Sequence, residues 1–229
     1  MNDIVFYIIL VAAVVLLFLL MLATNRYIKI PTWKLLIFAV LLFPVGLFSG
    51  KLMRLVEAGT WEGVSYFGAV LFAPVFMAVI AWIMREKPFS MLDLCAPVGG
   101  LAVGVWKFKC LKDGCCLGRI IFRDEYGSFS RFPSREVELI DGFVLMVIML
   151  LIIRRGKQKG LVYFWFLLLY GATRFVLDLL RDTEPFILGM SAGCFWALVS
   201  VIIGGGVLLY KNKIAPQKNK SKKKNNKRK

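Results

Sequence analysis

The sequence predicts an all-α, polytopic membrane protein with about seven transmembrane helices. Hydrophobic residues make up 59 % of the 229 residues, whereas a soluble domain lies nearer to half. The mean hydropathy is +0.72, and seven apolar segments approach the roughly 20 residues that a helix needs to cross a bilayer. The end of the chain is highly basic and almost free of apolar residues. These features predict one membrane domain over residues 1–210 and a disordered polybasic tail over residues 211–229.

The seven apolar segments are separated by short polar stretches. They cover residues 4–23, 33–49, 64–84, 91–106, 137–153, 161–180 and 186–210. The first is too long for the apolar part of a signal peptide and lacks a basic flank before it, so we expect it to remain as a helix. The second and fourth are short, and Pro44 and Pro97 predict kinks that neighbouring helices support.

The distribution of Lys and Arg predicts the orientation. Cytoplasmic loops of membrane proteins carry the excess of basic residues. Of the 30 Lys and Arg, 19 fall on the side of the C-terminus, 10 of them from Lys211 onward. We therefore expect an external N-terminus and a cytoplasmic C-terminus. The tail either fixes this topology or contacts the anionic cytoplasmic leaflet, and nucleic acid is not expected as a partner.

The sixth segment carries polar residues at helical spacing. They are Tyr170, Arg174, Asp178 and Arg181. These residues lie four, four and three apart, so a helix aligns them on one face. A charge among lipid tails costs roughly 3 kcal/mol or more, so such residues normally face a protein interior or a wet cavity. Asp178 is expected to pair with both arginines. A second interpretation stays open, in which Arg174 and Asp178 only hold helices together.

A basic loop is predicted on the same side of the membrane. Its cations are Lys107, Lys109, Lys112, Arg119, Arg123, Arg131 and Arg135, and its acids are Asp113, Asp124, Glu125 and Glu136. Basic residues on this side oppose the topology signal, so we expect them to have another task. The helix of Arg174 ends at the same face, which predicts one electropositive pocket there. Guanidinium groups bind the phosphate of a phospholipid through paired hydrogen bonds.

Two further segments are expected to contribute to this pocket. Residues 63–69 open the third helix with small side chains that allow close approach. Residues 92–104 form a flexible helix with a small-residue face, which brings Lys107 to the external boundary. Asp93 lies at the inner end of that helix, where we expect it to cap the helix.

The five cysteines stand in a chain without histidine. Zinc sites favour pairs such as Cys-x2-Cys, and the Cys-x4-Cys-Cys run is a poor match, so we expect no metal site. A disulfide between adjacent cysteines would be strained. Cys110, Cys115 and Cys116 are therefore predicted to be small packing residues beneath the loop.

Five motifs together carry a family resemblance. They are GVSYFG at 63–68, DLCAP at 93–97, KFKCLKDGCCLG at 107–118, FPSREVE at 132–138 and YGATRFVLDLLR at 170–181. In order and spacing they resemble the bacterial prolipoprotein diacylglyceryl transferases over about residues 63–205. The resemblance implies a seven-helix enzyme of the bacterial plasma membrane, active in lipoprotein biosynthesis. Phosphatidylglycerol would donate its diacylglyceryl group to the lipobox cysteine of a prolipoprotein signal peptide, with no cofactor.

The resemblance also implies roles for individual residues. The expected phosphate-binding and lipid-binding residues are Lys107, Arg174, Arg181, Tyr170 and Gly118, and the expected catalytic residues are Glu138, Arg174 and Asp178. Glu138 would accept a proton or pair with the cations. A thiol of pKa about 8.5 is partly ionised near neutrality, and the cations would lower that pKa further.

Several family residues are replaced. Phe67 stands for a histidine, Lys107 for an arginine, Cys110 for an asparagine and Cys115 for a glutamate. A divergent branch with a Gly-Cys-Cys-Xaa-Gly run fits residues 114–118 better. These replacements leave open a catalytically altered or inactive phospholipid-binding paralogue. A small transporter is a third alternative, but it predicts an internal repeat, and the sequence shows none.

Overall fold

The helical segments pack side by side as a membrane-type bundle. The computed structural model describes residues 3–123, 129–156, 158–183, 185–187 and 189–211. Its helices are α1 (Asp3–Ile28), α2 (Thr32–Ala58), α3 (Tyr66–Leu71), α4 (Ala73–Ile83), α5 (Pro88–Asp113), α6 (Ser134–Arg155), α7 (Val162–Leu179) and α8 (Ala192–Leu209). Two short strands, β1 (Ile120–Arg123) and β2 (Phe129–Arg131), pair antiparallel between α5 and α6.

The composition of the helices confirms a multi-pass membrane protein. Six segments are long and apolar enough to cross a membrane: residues 11–28, α2, α3 with α4, α5, α7 and α8. α6 has the length of a span but carries Glu138 and Asp141 within its first half and Arg154 and Arg155 at its end. The prediction of an all-α membrane fold with about seven helical segments is thus confirmed.

Two helices extend further than their apolar segments. α2 continues to Ala58 and α5 to Asp113, although each contains a proline, Pro44 or Pro97. The apolar stretch marks only the part of a helix that lipid or the core surrounds, and polar turns extend beyond it. Lys107, which directly follows the predicted segment of residues 91–106, is therefore not at the end of a helix. It lies inside α5 and is only 8 % exposed.

α8 begins later than predicted. It starts at Ala192 because the Ser191 side chain accepts a hydrogen bond from the backbone N–H of Cys194, at 3.0 Å. Such a serine cap satisfies a donor that the first helical turn leaves unpaired. Residues 186, 187 and 189–191, the described part of the preceding segment, are not helical.

Asp93 caps a different helix from the one that carries it. Its carboxylate accepts hydrogen bonds from the backbone N–H groups of Gly160, Val162 and Tyr163, the last two at 2.9 and 3.3 Å. These donors lie at the start of α7, where a helix leaves N–H groups unpaired. The prediction that Asp93 caps its own helix is wrong, and the residue instead fixes α7 to α5.

Glycines allow neighbouring helices to come into backbone contact. A Cβ atom at Gly142 in α6 would lie 2.4 Å from the backbone nitrogen of Gly104 in α5. A Cβ atom at Gly171 in α7 would lie 2.7 Å from the carbonyl oxygen of Ala197 in α8. The predicted small-residue face of the α5 segment is confirmed, because helices pack this closely only where side chains are absent.

The segment after α5 is tied to the end of α7. The N–H of Arg119 donates to the carbonyl of Leu180 at 2.9 Å, and the N–H of Asp182 donates to the carbonyl of Leu117 at 3.3 Å. Gly118 between them is buried, and a Cβ there would lie 2.1 Å from the carbonyl oxygen of Phe132. Asp124 and Glu125 of the predicted acidic set, and residues 212–229 of the predicted tail, lie outside the described residues.

Candidate functional site

A cavity of about 160 Å³ opens at the end of the bundle where α2, α5 and α7 end and α3, α6 and α8 begin. This end is called the cavity end below. The polar and aromatic residues that line the cavity include Glu57, Ser65, Tyr66, Lys107, Glu138, Tyr170 and Arg174. The cavity therefore receives side chains from segments far apart in the sequence.

Lys107, Glu138, Arg174, Asp178 and Arg181 form a charged cluster, and Glu138 lies at its centre. It lies in the second turn of α6 and is only 3 % exposed. Its Oε2 atom lies 2.6 Å from the Nζ of Lys107 on α5 and accepts a hydrogen bond from Nη1 of Arg174 on α7. Its Oε1 atom lies 3.7 Å from Nη1 of Arg181. One carboxylate thus joins three cations from two neighbouring helices.

Asp178 joins Arg174 on α7 to Arg181, which lies two residues beyond the end of that helix. Its Oδ1 atom lies 3.1 Å from Nη2 of Arg174 and 3.2 Å from Nη1 of Arg181, as the spacing of four and three residues predicted. Its Oδ2 atom accepts a hydrogen bond from the hydroxyl of Ser191 at the start of α8. A Cβ at Gly193 would lie 2.6 Å from Oδ2, so only glycine leaves room for the carboxylate against that helix start.

Counted against carboxylates alone, the cluster keeps one positive charge in excess. Lys107, Arg174 and Arg181 face two carboxylates, those of Glu138 and Asp178. The buried Nε atoms of Arg174 and Arg181 have no hydrogen-bond partner among the described residues. Buried polar groups are almost always hydrogen-bonded, so these donors mark capacity for a further acceptor. The site is suited to an anion.

Aromatic rings form the wall deeper in the cavity. Tyr170 stacks on Phe166 with ring centroids 5.5 Å apart and meets Tyr66 edge-on at 5.7 Å. The hydroxyl of Tyr66 donates to the carbonyl of Gly99 at 2.8 Å, which fixes α3 to α5. Phe67 also lines the cavity and lies 5.7 Å from Tyr170. The predicted contribution of residues 63–69 is confirmed.

The structure places the predicted site residues at two depths. Lys107, Glu138, Tyr170 and Arg174 line the cavity. Asp178 and Arg181 lie behind them, in contact with Arg174 and Glu138. Gly118 is bridged to the backbone of Arg181 and is not among the lining residues.

Three arginines of the basic loop have a structural task. Arg119 donates to the carbonyl of Arg181 at 3.0 Å, Arg131 to that of Gly118 at 3.1 Å, and Arg135 to that of Cys110 at 3.4 Å. Among the described side chains of this loop, Lys107 alone lines the cavity. The loop cations were expected to do something other than set the topology. These three arginines hold the loop against α5 and α7.

Glu57 is a lining residue that the sequence analysis missed. It lies in the last turn of α2, and its side chain is 8 % exposed. Its Oε1 atom accepts a hydrogen bond from the hydroxyl of Ser65 at 2.8 Å, and its Oε2 atom lies 3.9 Å from Arg54. The available signal was an acid at the end of the second apolar segment, on the same side of the bundle as Arg174.

Three cysteines gather beside the charged cluster. The sulfur atoms of Cys110, Cys115 and Cys116 all lie within 4.8 Å of one another, and those of Cys110 and Cys116 are 3.7 Å apart. The hydrogen bond with Cys110, together with Arg181 and Lys107, lowers the pKa of the Cys116 thiol to about 5. Cys115 is exposed, so the prediction of a packing role is wrong for that residue.

Comparison with known proteins gives one family. The family model "Prolipoprotein diacylglyceryl transferase" matches residues 8–210. A protein of Photobacterium profundum is 29 % identical over 191 residues, which are 78 % of this chain and 71 % of that protein. One of Geobacter sulfurreducens is 29 % identical over 59 % of this chain and 55 % of its own length, and one of Dehalococcoides mccartyi is 22 % identical over 76 % and 75 %. All three are named phosphatidylglycerol–prolipoprotein diacylglyceryl transferase.

Proposed function

Because the chain belongs to the prolipoprotein diacylglyceryl transferase family, we propose that it transfers a diacylglyceryl group from phosphatidylglycerol to the lipobox cysteine of a prolipoprotein. The reaction would take place in the bacterial plasma membrane, at the outer leaflet. The observation that carries the proposal is the cationic cluster of Lys107, Arg174 and Arg181, buried beside a cavity and only partly neutralised.

The phosphate of the donor lipid would bind at Arg174 and Lys107. Both line the cavity, and the Nε of Arg174 has no hydrogen-bond partner among the described residues. Arg181 and Asp178 would act from behind by fixing the guanidinium of Arg174. A cavity of about 160 Å³ is smaller than the roughly 300–1,000 Å³ of sites for drug-sized ligands, so it suits the headgroup while the acyl chains stay in the membrane.

The reaction is a displacement at carbon. The thiolate of the acceptor cysteine attacks the glyceryl carbon that bears the phosphate ester, and a carbon–sulfur bond forms. The carbon–oxygen bond breaks, and glycerol 1-phosphate leaves with the electron pair. Arg174 and Lys107 would stabilise the negative charge that develops on the leaving phosphate. Such electrostatic stabilisation of the transition state is usually the largest single contribution to catalysis.

A carboxylate is needed to take the proton of the acceptor thiol. Glu138 binds Lys107 and Arg174 directly, and this pairing favours the role of a salt partner over that of a base. Glu57 lines the same cavity, and one of its oxygens lies 3.9 Å from the nearest charged partner. We therefore assign proton acceptance to Glu57 and charge balance to Glu138.

The activity is tested with purified full-length protein. Incubation with phosphatidylglycerol and a lipobox peptide should increase the peptide mass by one diacylglyceryl group. Arg174→Ala should abolish the product, and the matched Arg154→Ala, at an exposed position at the other end of the bundle, should not. Absence of product from the wild-type protein with every phospholipid donor would refute the proposed activity.

A phospholipid-binding paralogue without this activity is the second candidate. It is favoured by Phe67, which lines the cavity at the position where family members have histidine. This candidate predicts that phosphatidylglycerol co-purifies with the wild-type protein and is lost from Arg174→Ala, while neither protein forms product. Lipid mass analysis of the two purified proteins distinguishes the candidates.

A further inference from the structure

We propose that Cys110, Cys115 and Cys116 form a binding site for a thiophilic divalent cation, and that Zn²⁺ is the cation that this donor set fits. The site lies at the cavity end of α5, next to the charged cluster but outside the cavity lining. The sequence predicted no metal here, because the spacing of the cysteines does not resemble that of common zinc sites.

The sulfur positions match a tetrahedral cation. Zinc–sulfur bonds of about 2.3 Å at tetrahedral angles separate two sulfur atoms by about 3.8 Å. The sulfur atoms of Cys110 and Cys116 are 3.7 Å apart, and Cys115 completes a triangle in which every side is at most 4.8 Å. A small movement of the exposed Cys115 would bring the third sulfur to the same spacing.

The backbone is shaped to bring these side chains together. α5 ends at Asp113, and Gly114 follows it with φ +68°. Cys116 also has positive φ, at +60°, which is uncommon for a residue with a Cβ atom. Two left-handed residues within three positions reverse the chain, so that Cys115 and Cys116 return to Cys110 in the last turn of the helix. Such conformations often occur where a functional arrangement requires them.

The thiolate is the form of cysteine that binds metal, and two cations lie close enough to this cluster to act on it. Lys107 and Arg181 act on Cys116 from α5 and from the end of α7. Three thiolates and one Zn²⁺ carry a net charge of −1, which equals in size the one positive charge that the cluster keeps in excess over its carboxylates. The cations would repel a bare Zn²⁺, so the site depends on all three sulfurs rather than on any one of them.

The donor set also specifies the class of cation. Thiolate ligands select soft or borderline cations such as Zn²⁺, whereas Mg²⁺ and Ca²⁺ require oxygen ligands. Three protein ligands leave the fourth tetrahedral position to water or to an added ligand. The exposed side of Cys115 gives an entry path for the ion.

Zinc binding is measured on the reduced, full-length protein in detergent. After incubation with Zn²⁺ and gel filtration, elemental analysis should find one zinc per chain. Cys110→Ser, Cys115→Ser and Cys116→Ser should each weaken binding by more than the roughly tenfold that loss of an outer-shell partner costs. Cys95→Ser and Cys194→Ser, at buried cysteines on α5 and α8, are the matched controls and should bind zinc as the wild type does.

Protection from maleimide is measured on the wild-type protein alone, so this readout does not depend on the folding of any variant. Zn²⁺ should slow the reaction of Cys115 and Cys116 with a maleimide, followed by peptide mass analysis, and a chelator should restore the rate. Co²⁺ should give thiolate charge-transfer absorption in wild-type protein that the three serine variants lose. Three results would each overturn the proposal. Zn²⁺ could leave the maleimide rates unchanged, or the triple serine variant could retain zinc as well as the wild type does. The third is a Cys110–Cys116 disulfide, with no zinc bound, under reducing conditions.

Discussion

At the scale of single residues, Arg174 is the point at which the charged cluster meets the cavity. Its guanidinium binds Glu138 on α6 through Nη1 and Asp178, one turn further along α7, through Nη2. Contacts to both helices therefore determine its position. A planar fork of donors can make both contacts and keep Nε for a ligand, which an ammonium group cannot do. The identity of this residue therefore matters more than its charge.

Arg174→Lys tests this point. The charge remains, but one of the two carboxylate contacts and the orientation of the donor are lost. We expect diacylglyceryl transfer to fall by about a hundredfold, which is the size of effect seen when one donor to developing negative charge is removed. The melting temperature in detergent should change little. A rate within a factor of two or so of wild type would show that charge alone suffices.

Glu57→Gln and Glu138→Gln separate a proton acceptor from a salt partner. Glu57→Gln should lower transfer by about 10²-fold, because it removes a general base, and should leave the fold stable. Glu138→Gln leaves Lys107 and Arg174 without their shared carboxylate, and breaking such a buried pair costs about 3–5 kcal/mol of stability. Thermal unfolding and product mass are measured on both variants. Equal loss of stability in both would contradict the assigned roles.

At the scale of secondary-structure elements, the site depends on how closely α5, α6 and α7 approach one another. Lys107, Glu138 and Arg174 come from these three helices, and their ion pairs form only if the backbones stay near. Gly104 and Gly142 allow this contact between α5 and α6, and the Asp93 carboxylate fixes the start of α7 against α5. Packing beside the cavity, together with the Asp93 contact at the other end of α7, thus positions the charges.

Gly142→Ala tests the helix contact. The new Cβ would lie 2.4 Å from the backbone nitrogen of Gly104, so the helices must separate, and overpacking of this kind costs about 1–3 kcal/mol. Gly206→Ala in α8 meets nothing within 4 Å and is the matched control. Its melting temperature should equal or exceed that of wild type, since alanine is favoured over glycine in a helix. A similar melting temperature for both variants would refute the requirement for glycine.

At the scale of the whole molecule, the charge distribution predicts which end faces the outside. The cavity end carries the cationic cluster and the basic loop, while the most basic stretch, the tail, follows α8 at the opposite end. The positive-inside rule predicts that the tail is cytoplasmic and that the cavity end faces outside. A secreted acceptor and an outer-leaflet lipid can then reach the same cavity.

Labelling of Cys115 tests this orientation. Cys115 is the exposed cysteine at the cavity end, so a membrane-impermeant maleimide added to intact cells with a chelator should modify it. A cysteine introduced as Lys229→Cys at the end of the tail should react only after the cells are permeabilised. The opposite pattern would reverse the predicted topology.

The sequence by itself determined the membrane fold, the number of helical segments and the polar face of α7. Hydropathy and residue spacing are local properties, so the pairing of Asp178 with Arg174 and Arg181 follows from helical periodicity alone. The extent of α2 and α5 was not predictable from apolar length, because a helix continues wherever its backbone hydrogen bonds can be completed.

Only the tertiary structure decided which distant residues meet. Glu138 gathers Lys107, Arg174 and Arg181, Glu57 enters the same cavity from α2, and Asp93 caps a helix about 70 residues further along the chain. It also brings three cysteines together at one turn, although their spacing suggested no site. The physical reason is that charge pairing and ligand geometry depend on distances in space, which helix packing sets and sequence spacing does not.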